Sequence, residues 1–142
     1  MNTFQLSVNY EMKLERAIIF GQYDWINPNL ISKGFQTNQK GRAIVLAELI
    51  HFNRAIDQKE VIEEINKEYR PADIRELLAF GERYPRMQKK FPIVSLGSLL
   101  KDQNDFFHVP YLHGYGSERY LGIHCVTDTW REMYRFLVIK NG

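Results

Sequence analysis

The sequence predicts an α+β fold, and three observations lead to that prediction. The chain has 142 residues, a length at which one domain can bury its own core. Strand-like patterns stand at its start, two amphipathic helices in its middle, and a block of strand-like segments at its end. Strands, then helices, then further strands are typical of α+β rather than alternating α/β architecture. We therefore expect residues 1–142 to form a single domain.

The N-terminal third combines a strand, a loop and a longer apolar segment. Residues 4–10 alternate between apolar and polar, which predicts a half-buried strand. A short apolar run at 17–20 is broken by Gly21. Asparagine, proline and glycine between 22 and 42 predict a loop. Residues 43–52 are largely apolar, and we expect a strand near the end of this segment, although its periodicity also permits a helix.

Two short amphipathic helices are predicted in the middle of the chain. Each begins at an aspartate followed three residues later by a glutamate, Asp57 with Glu60 and Asp73 with Glu76. That spacing suits a reciprocal cap, in which each side chain accepts a hydrogen bond from the other residue's backbone N–H. Apolar residues recur at helical spacing after each cap: Val61, Ile62 and Ile65, then Ile74, Leu77, Leu78 and Gly81. We expect Gly81 and Pro85 to end the second helix.

From residue 91 onward the pattern is strand and turn. Strands are expected near 93–96, then at 109–112, 119–126 and 134–140, with turns at 114–117 and 127–131. Successive strand residues point to opposite faces. In 119–126 this places Leu121, Ile123 and Cys125 inward, and Tyr120 and His124 outward. By the same rule, Val109 and Tyr111 share a face.

The segment from 106 to 136 is rich in aromatic residues. It holds eight of them, together with His108, His113 and His124. Tyrosine and tryptophan supply a large contact area at a low cost in side-chain entropy, which makes them common at binding hot spots. The cluster therefore favours a binding surface, and the alternative is that these rings fill a second small core.

Catalytic and metal-binding patterns are absent from the sequence. The spacing of His108, His113 and His124 matches no zinc motif. His124 and Cys125 are neighbours in a strand and would point to opposite faces, so they cannot form a Cys–His dyad. We expect no enzyme activity, no cofactor and no metal. A hydrolase or transferase with an unrecognised site centred on the three histidines is kept as an alternative.

Charge and hydropathy restrict partners and location. A formal net charge of +2 is too small to indicate a nucleic-acid partner. Basic residues do cluster at 83–90, but the acidic Glu82 stands beside them, and a solvated helix end and loop explains the cluster. The single cysteine excludes an intramolecular disulfide. No apolar run approaches the about 20 residues of a membrane span, and the N-terminus lacks a signal-peptide core. We expect a cytoplasmic protein, or one assembled into a viral particle.

Two parts of the sequence resemble a known fold. The run 69–80, Tyr-Arg-Pro-Ala-Asp-Ile-Arg-Glu-Leu-Leu-Ala-Phe, resembles the second-helix signature of C-type-lectin-like domains of the formylglycine-generating-enzyme type. The segments 93–98, 109–112, 119–121 and 134–140 look like the closing strands of that fold. The resemblance implies two helices packed on small antiparallel sheets, with a β-rich C-terminal ligand-binding surface. The catalytic cysteines of formylglycine generation and the calcium motifs of sugar-binding lectins are missing.

Within that fold the chain looks most like the variable proteins of diversity-generating retroelements, in which a reverse-transcriptase system rewrites codons of the C-terminal segment, here about 98–136. The resemblance implies fixed frame residues: Gly97, Val109, Pro110, Leu112, Arg119, Leu121, Ile123, Arg135 and Phe136. It also implies displayed, variable residues that bind the ligand: Phe107, His108, Tyr111, His113, Tyr115, Tyr120, His124, Trp130, Glu132 and Tyr134. The expected function is binding of varied macromolecular targets. The second hypothesis is a non-diversified protein-interaction domain, for example a phage or accessory structural protein.

Overall fold

The computed structural model describes residues 2–30 and 39–141. Most of its strands belong to one large mixed sheet. The strands are β1 (Phe4–Asn9), β2 (Trp25–Ile26), β3 (Arg42–His51), β4 (Ile56–Asp57), β5 (Tyr69–Pro71), β6 (Ile93–Val94), β7 (Leu100–Lys101), β8 (Phe107–Tyr115), β9 (Glu118–Cys125), β10 (Thr129–Trp130) and β11 (Arg135–Lys140). The helices are α1 (Leu14–Gly21), α2 (Gln58–Asn66) and α3 (Ile74–Arg83), and a 3₁₀ turn spans Met87–Lys89.

The large sheet has nine strands, with the order β1-β3-β11-β6-β8-β9-β2. Strand β5 also pairs with β11, and β7 with β8. Two pairings are parallel, β6 with β11 and β2 with β9. The α+β prediction is confirmed. The expectation of two helices on small antiparallel sheets is wrong in its details, because the described residues form three helices and one mixed sheet joins most strands.

Both faces of the sheet are covered, as the side chains of β11 show. Its residues alternate between two buried clusters, with Leu137 and Ile139 in one and Phe136 and Val138 in the other. The first and larger cluster includes residues of α1 and α3, and the second includes α2. A strand buried on both faces carries a nearly continuous apolar run, as 136–139 does.

The N-terminal strand is confirmed, since Leu6, Val8 and Tyr10 are buried. The apolar run at 17–20 belongs to helix α1, which the sequence analysis did not predict. Its buried residues include Leu14, Ile18 and Gly21, the i, i+4 and i+7 positions of one face. Lys13 precedes the helix without a side-chain cap, so the usual start signal is missing.

The apolar segment at 43–52 is strand along nearly its whole length, not only at its end. Strand β3 pairs with β1 on one side and with β11 on the other. Its backbone hydrogen bonds are therefore used in both directions, which excludes the helical alternative. The predicted loop at 22–42 contains the short strand β2, and its residues 31–38 lie outside the described residues.

The two predicted helices are confirmed, but only one of the two caps is. Asp73 Oδ1 accepts from the Glu76 N–H at 3.0 Å, and Glu76 Oε1 accepts from the Asp73 N–H at 2.8 Å. Gly81 does not end α3, which continues to Arg83. Glu76, a member of this cap, is also fully buried.

The predicted reciprocal cap at Asp57 is wrong. Asp57 makes no side-chain bond to the first turn of α2 within the described part of the chain. Its Oδ1 accepts instead from the Thr129 hydroxyl at 3.2 Å, and Glu60 pairs with Arg54 at 2.6 Å. Both carboxylates therefore bond to residues outside the helix and not to its first turn.

None of the helices in the described ranges combines the length and the apolar character needed to cross a bilayer.

Candidate functional site

The hairpin formed by β8 and β9 brings the predicted aromatic and histidine residues together. Its register pairs Val109 with His124, Tyr111 with Gly122, and His113 with Tyr120. Cross-strand partners project on the same face, so these rings share the face that carries α2. Tyr134, just before β11, contacts His124 on this face. We call Tyr111, His113, Tyr120, His124 and Tyr134 the aromatic–histidine surface.

The rings of this surface contact one another in an unbroken series. Tyr111 and His113 are stacked, with centroids 4.3 Å apart and an interplanar angle of 5°. His113 meets Tyr120 edge-on at 5.3 Å, and Tyr111 meets His124 edge-on at 5.2 Å. His124 in turn meets Tyr134 at 5.3 Å. Edge-to-face and offset geometries are the favourable ones for aromatic pairs, so each ring holds its neighbour in place.

Gly122 makes the stacked pair possible. A Cβ atom at this position would lie 3.0 Å from Tyr111 Cε1 and 3.0 Å from His113 Nε2. The two rings therefore occupy the space above β9 that a side chain would fill. A larger residue at 122 would displace both rings from the centre of the surface.

Hydrogen bonds fix the orientation of His124. Its Nδ1 lies 2.7 Å from the Cys125 carbonyl oxygen, which can only accept, so Nδ1 carries the proton in the neutral ring. Nε2 is then the acceptor and takes a hydrogen bond from the Tyr134 hydroxyl at 2.8 Å. Both nitrogens are occupied, and His124 serves as a spacer that positions Tyr134.

Burial keeps much of the surface uncharged. It lowers the pKa of His113 from its usual 6.5, and the nearby His124 adds to the effect. Burial also raises the pKa of the Tyr111 and Tyr134 hydroxyls. These three groups are neutral at pH 7, because the charged form of each loses its hydration in the partly buried environment.

A groove of about 310 Å³ runs beside the surface. Its walls include Tyr111, His113, Tyr134, Phe91, Pro92 and Met133. Lys89 and Lys90 also line it, and both are exposed. Arg131 is close enough to Tyr134 for its positive charge to lower the pKa of that hydroxyl against the effect of burial. The groove thus has an aromatic wall and a basic rim.

The remaining predicted site residues lie elsewhere. Phe107 and Tyr115 are exposed, on the same face at the two ends of β8. His108 has the opposite parity and points to the other face, where it contacts Asp102. Glu132 is exposed, and its backbone carbonyl lies 2.8 Å from His51 Nε2.

Two predictions about exposure are wrong. Trp130 is not displayed: it is only 1% exposed, packs against His124, Tyr134 and Phe136, and donates from Nε1 to Gln58 at 2.5 Å. The large indole ring fills part of the second buried cluster, beneath His124 and Tyr134 of the aromatic–histidine surface. Cys125, the last residue of β9, lies on the same face of the strand as Leu121 and Ile123, but it is exposed and not part of the core.

Two residues that the sequence analysis missed support the surface. Gln88 is buried and donates from Nε2 to the carbonyls of His113 and Tyr120, at 2.9 and 3.0 Å. Trp25 contacts Tyr120 edge-on at 6.3 Å, because β2 pairs with β9 at this point. Both contacts join segments far apart in the chain, and no local pattern signals them.

The described residues contain no cluster of three or more histidine, cysteine, aspartate or glutamate side chains arranged to hold a metal ion. What the surface offers is ring faces held in fixed positions, with hydroxyl and imidazole edges between them. Rigid aromatic faces of this kind are common at binding sites. No family model, curated protein sequence or solved structure matches this chain.

Proposed function

We propose that the protein is a binding module whose aromatic–histidine surface and adjoining groove bind an extended, acidic segment of another protein. The observation that carries this proposal is the unbroken series of rings from Tyr120 to Tyr134 beside a basic rim. Rings already held by their neighbours lose little conformational freedom on binding, which preserves affinity. Large amphipathic rings at the centre of a contact are typical hot-spot residues.

The basic rim decides the chemistry of the partner. Lys89 and Lys90 line the groove, and Arg131 lies near Tyr134. The wall residues His113, Tyr111 and Tyr134 are uncharged. An acidic segment would meet complementary charge at the rim and apolar contact at the wall. Rim charges contribute mainly to the rate of association and to its dependence on salt.

The proposal has a finer form, which follows from the resemblance to C-type-lectin-like variable proteins. Strand β3, helices α2 and α3, and the later strands follow one another in the order that the resemblance implies. Frame residues such as Leu112 and Leu121 are buried, while Tyr111, His113 and Tyr120 alternate with them on the other face. In this form the surface residues are diversified by a retroelement, and the buried Trp130 is left out of the variable set.

Gene context tests the finer form. Diversification requires a near-copy of the coding sequence for residues about 98–136, differing chiefly at adenines, beside a reverse-transcriptase gene. A neighbourhood with neither would leave the non-diversified interaction domain as the form to keep.

The binding proposal is tested with a random peptide library selected on the purified full-length protein. We expect the selected peptides to be enriched in Asp and Glu. Charge reversal by Lys89→Glu with Lys90→Glu should weaken the best peptide at least tenfold at low salt, as measured by calorimetry. These lysines are exposed, so the fold is expected to be unaffected.

A matched control is Lys13→Glu, an exposed lysine before α1 on the other side of the sheet. It should leave peptide affinity within twofold of the wild type. Tyr134→Ala, which removes a ring from the groove wall, should cost about 2 kcal/mol of binding free energy. Selected peptides without acidic enrichment, or an equal loss in the Lys13 control, would contradict the proposal.

A further inference from the structure

A histidine–aspartate pair lies on the face of the hairpin opposite the aromatic–histidine surface. His108 Nε2 is 2.8 Å from Asp102 Oδ2. The other carboxylate oxygen, Oδ1, accepts from the backbone N–H groups of Asn104 and Phe106 at 2.8 and 3.0 Å. The hydrogen bond from His108, followed by these backbone bonds, holds the pKa of Asp102 below its usual range. The carboxylate is thus fixed in place and ionised.

The hydrogen bond to Asp102 also fixes the tautomer of His108. An ionised carboxylate can only accept, so Nε2 carries the proton. In the neutral ring Nδ1 then has a free lone pair and can act as a base. A carboxylate in this position also stabilises the imidazolium that forms when Nδ1 takes up a proton.

The residue directly across from His108 in the hairpin is Cys125. The Val126 N–H donates to the Phe107 carbonyl at 2.8 Å, which makes the 107–126 pair a hydrogen-bonded one. Pairs alternate along an antiparallel ladder, so His108 and Cys125 form a non-hydrogen-bonded pair. In such pairs the Cα atoms are about 4.5 Å apart and the side chains come closest.

The cysteine is available for reaction. It is exposed and belongs to no disulfide. Its Sγ makes a long contact of 3.8 Å with the Val126 carbonyl, which is a weak bond. A bond from Sγ to His108 would require rotation about χ1.

A cavity of about 320 Å³ lies beside His108 and Asp102. His108 and Asp102 line it, together with the apolar side chains of Leu100 and Ile123 and the amide of Asn104. Leu100 lies beside His108 on β7, opposite to Cys125, so these three residues form one row across the sheet. The volume is at the lower end of the range for small-molecule sites, which is about 300–1,000 Å³.

We propose that Cys125 and His108, with Asp102 as the positioning residue, form a nucleophilic site that accepts an acyl group from a small ester or thioester. The Cys125 thiol gives its proton to His108 Nδ1, and the sulfur attacks the carbonyl carbon. The tetrahedral adduct collapses with loss of the alcohol or thiol, which takes the proton from Nδ1. The product is a thioester on Cys125, and no redox change occurs.

This site is independent of the binding proposal, because the two use opposite faces of β8 and β9. The pairing also differs from the neighbouring His124–Cys125 dyad that strand geometry excludes. His124 faces away and is bonded to Tyr134.

The first test is the rate at which iodoacetamide alkylates Cys125 in the full-length protein, followed by intact mass between pH 6 and 10. At pH 7 we expect the wild type to react at least tenfold faster than His108→Gln. The ratio should fall towards one above pH 9, since a free cysteine thiol ionises near pH 8.5 without a base. Asp102→Asn, which keeps the shape but not the charge, should give an intermediate rate at pH 7.

His51→Gln is the matched control, because it changes an exposed histidine of β3 that belongs to neither site. It should alkylate at the wild-type rate at every pH. Circular dichroism and the midpoint of urea unfolding establish that each variant is folded. The proposal is overturned if folded His108→Gln and Asp102→Asn react as fast as the wild type at pH 7.

The second test uses p-nitrophenyl acetate as the probe. We expect release of p-nitrophenolate and a mass increase of one acetyl group on the peptide that contains Cys125. Cys125→Ala should abolish the acetylation, and His108→Gln should slow it at least tenfold. Acetylation spread over lysines, with no preference for Cys125, would also refute the site.

Discussion

His113 is the residue at which solution conditions act most directly on the aromatic–histidine surface. It is half-buried, stacked on Tyr111 and in edge contact with Tyr120. Burial, and then the nearby His124, lower its pKa in the folded protein. In the unfolded chain the imidazole is in water and takes up a proton near pH 6.5. Between these two pKa values the unfolded state binds more protons, so lower pH favours unfolding.

We predict that His113→Phe reduces the loss of stability on acidification. The contribution of His113 is intact above pH 6.5 and is lost as the pH falls from there towards the lower pKa of the folded state. Urea unfolding at pH 7.5 and pH 5.5 should therefore show a smaller difference for His113→Phe than for the wild type. His51→Phe, at an exposed histidine, is the control and should behave as the wild type. Equal pH dependence in all three proteins would contradict the prediction.

At the scale of elements, helices α2 and α3 both begin with an aspartate followed three residues later by a glutamate, but these residues make different hydrogen bonds in the two helices. Asp73 and Glu76 cap α3 reciprocally, and Glu76 is also held by Tyr10 at 2.6 Å and by Arg70 at 2.5 Å. At α2 the tertiary partners Thr129 and Arg54 compete for the corresponding carboxylates. A capping pattern in the sequence thus predicts where a helix begins more reliably than which hydrogen bonds cap it.

The two aspartates form a matched pair for mutation. Asp73→Ala removes a side-chain cap and should lower the free energy of unfolding by about 1–2 kcal/mol. Asp57→Ala removes an exposed contact to Thr129 instead and should cost less than about 0.5 kcal/mol. Both values can be measured by urea unfolding at pH 7. A larger loss for Asp57→Ala than for Asp73→Ala would show that the assignment of the caps is incorrect.

Strand alternation is the part of the site that the sequence could predict. The period of two in β9 places Tyr120 and His124 on one face of that strand, as the structure confirms. That Tyr111 of β8 shares this face follows only from the register between the strands. Exposure does not follow from parity alone. Trp130 is covered because α2 and Tyr134 close over it, and Cys125 is uncovered because the core stops before it. Both outcomes depend on what packs above the strand, which a local pattern does not contain.

At the scale of the whole molecule, Arg119 joins the N-terminal segment to the hairpin. Its guanidinium donates to the carbonyls of Gly21 and Gly81, near the C-terminal ends of α1 and α3, at 2.5 and 2.9 Å. It also donates to the carbonyl of Pro85 and the side chain of Gln88. The resemblance implies a frame role for this residue, and it is 8% exposed. The sequence alone does not reveal its partners, because they belong to separate segments.

We predict that Arg119→Met lowers the free energy of unfolding by about 3–5 kcal/mol, since it removes a buried charge and leaves its acceptors unsatisfied. Arg119→Lys should fall between this variant and the wild type, because an ammonium group cannot reach acceptors in several directions. Arg131→Met, at an exposed arginine, should change stability by less than about 0.5 kcal/mol. Chemical denaturation measures all three, and a loss below 1 kcal/mol for Arg119→Met would refute this role.

The position of Arg119 has a consequence for how the chain folds as it is synthesised. The acceptor at Gly21 is 98 residues away in sequence, and the one at Gly81 is 38 residues away. Helices α1 and α3 leave the ribosome long before the arginine that joins their ends. Closing such long loops late is slow and leaves apolar surface exposed in the meantime. Nascent chains that stop before residue 119 should thus expose this apolar surface and depend on chaperones.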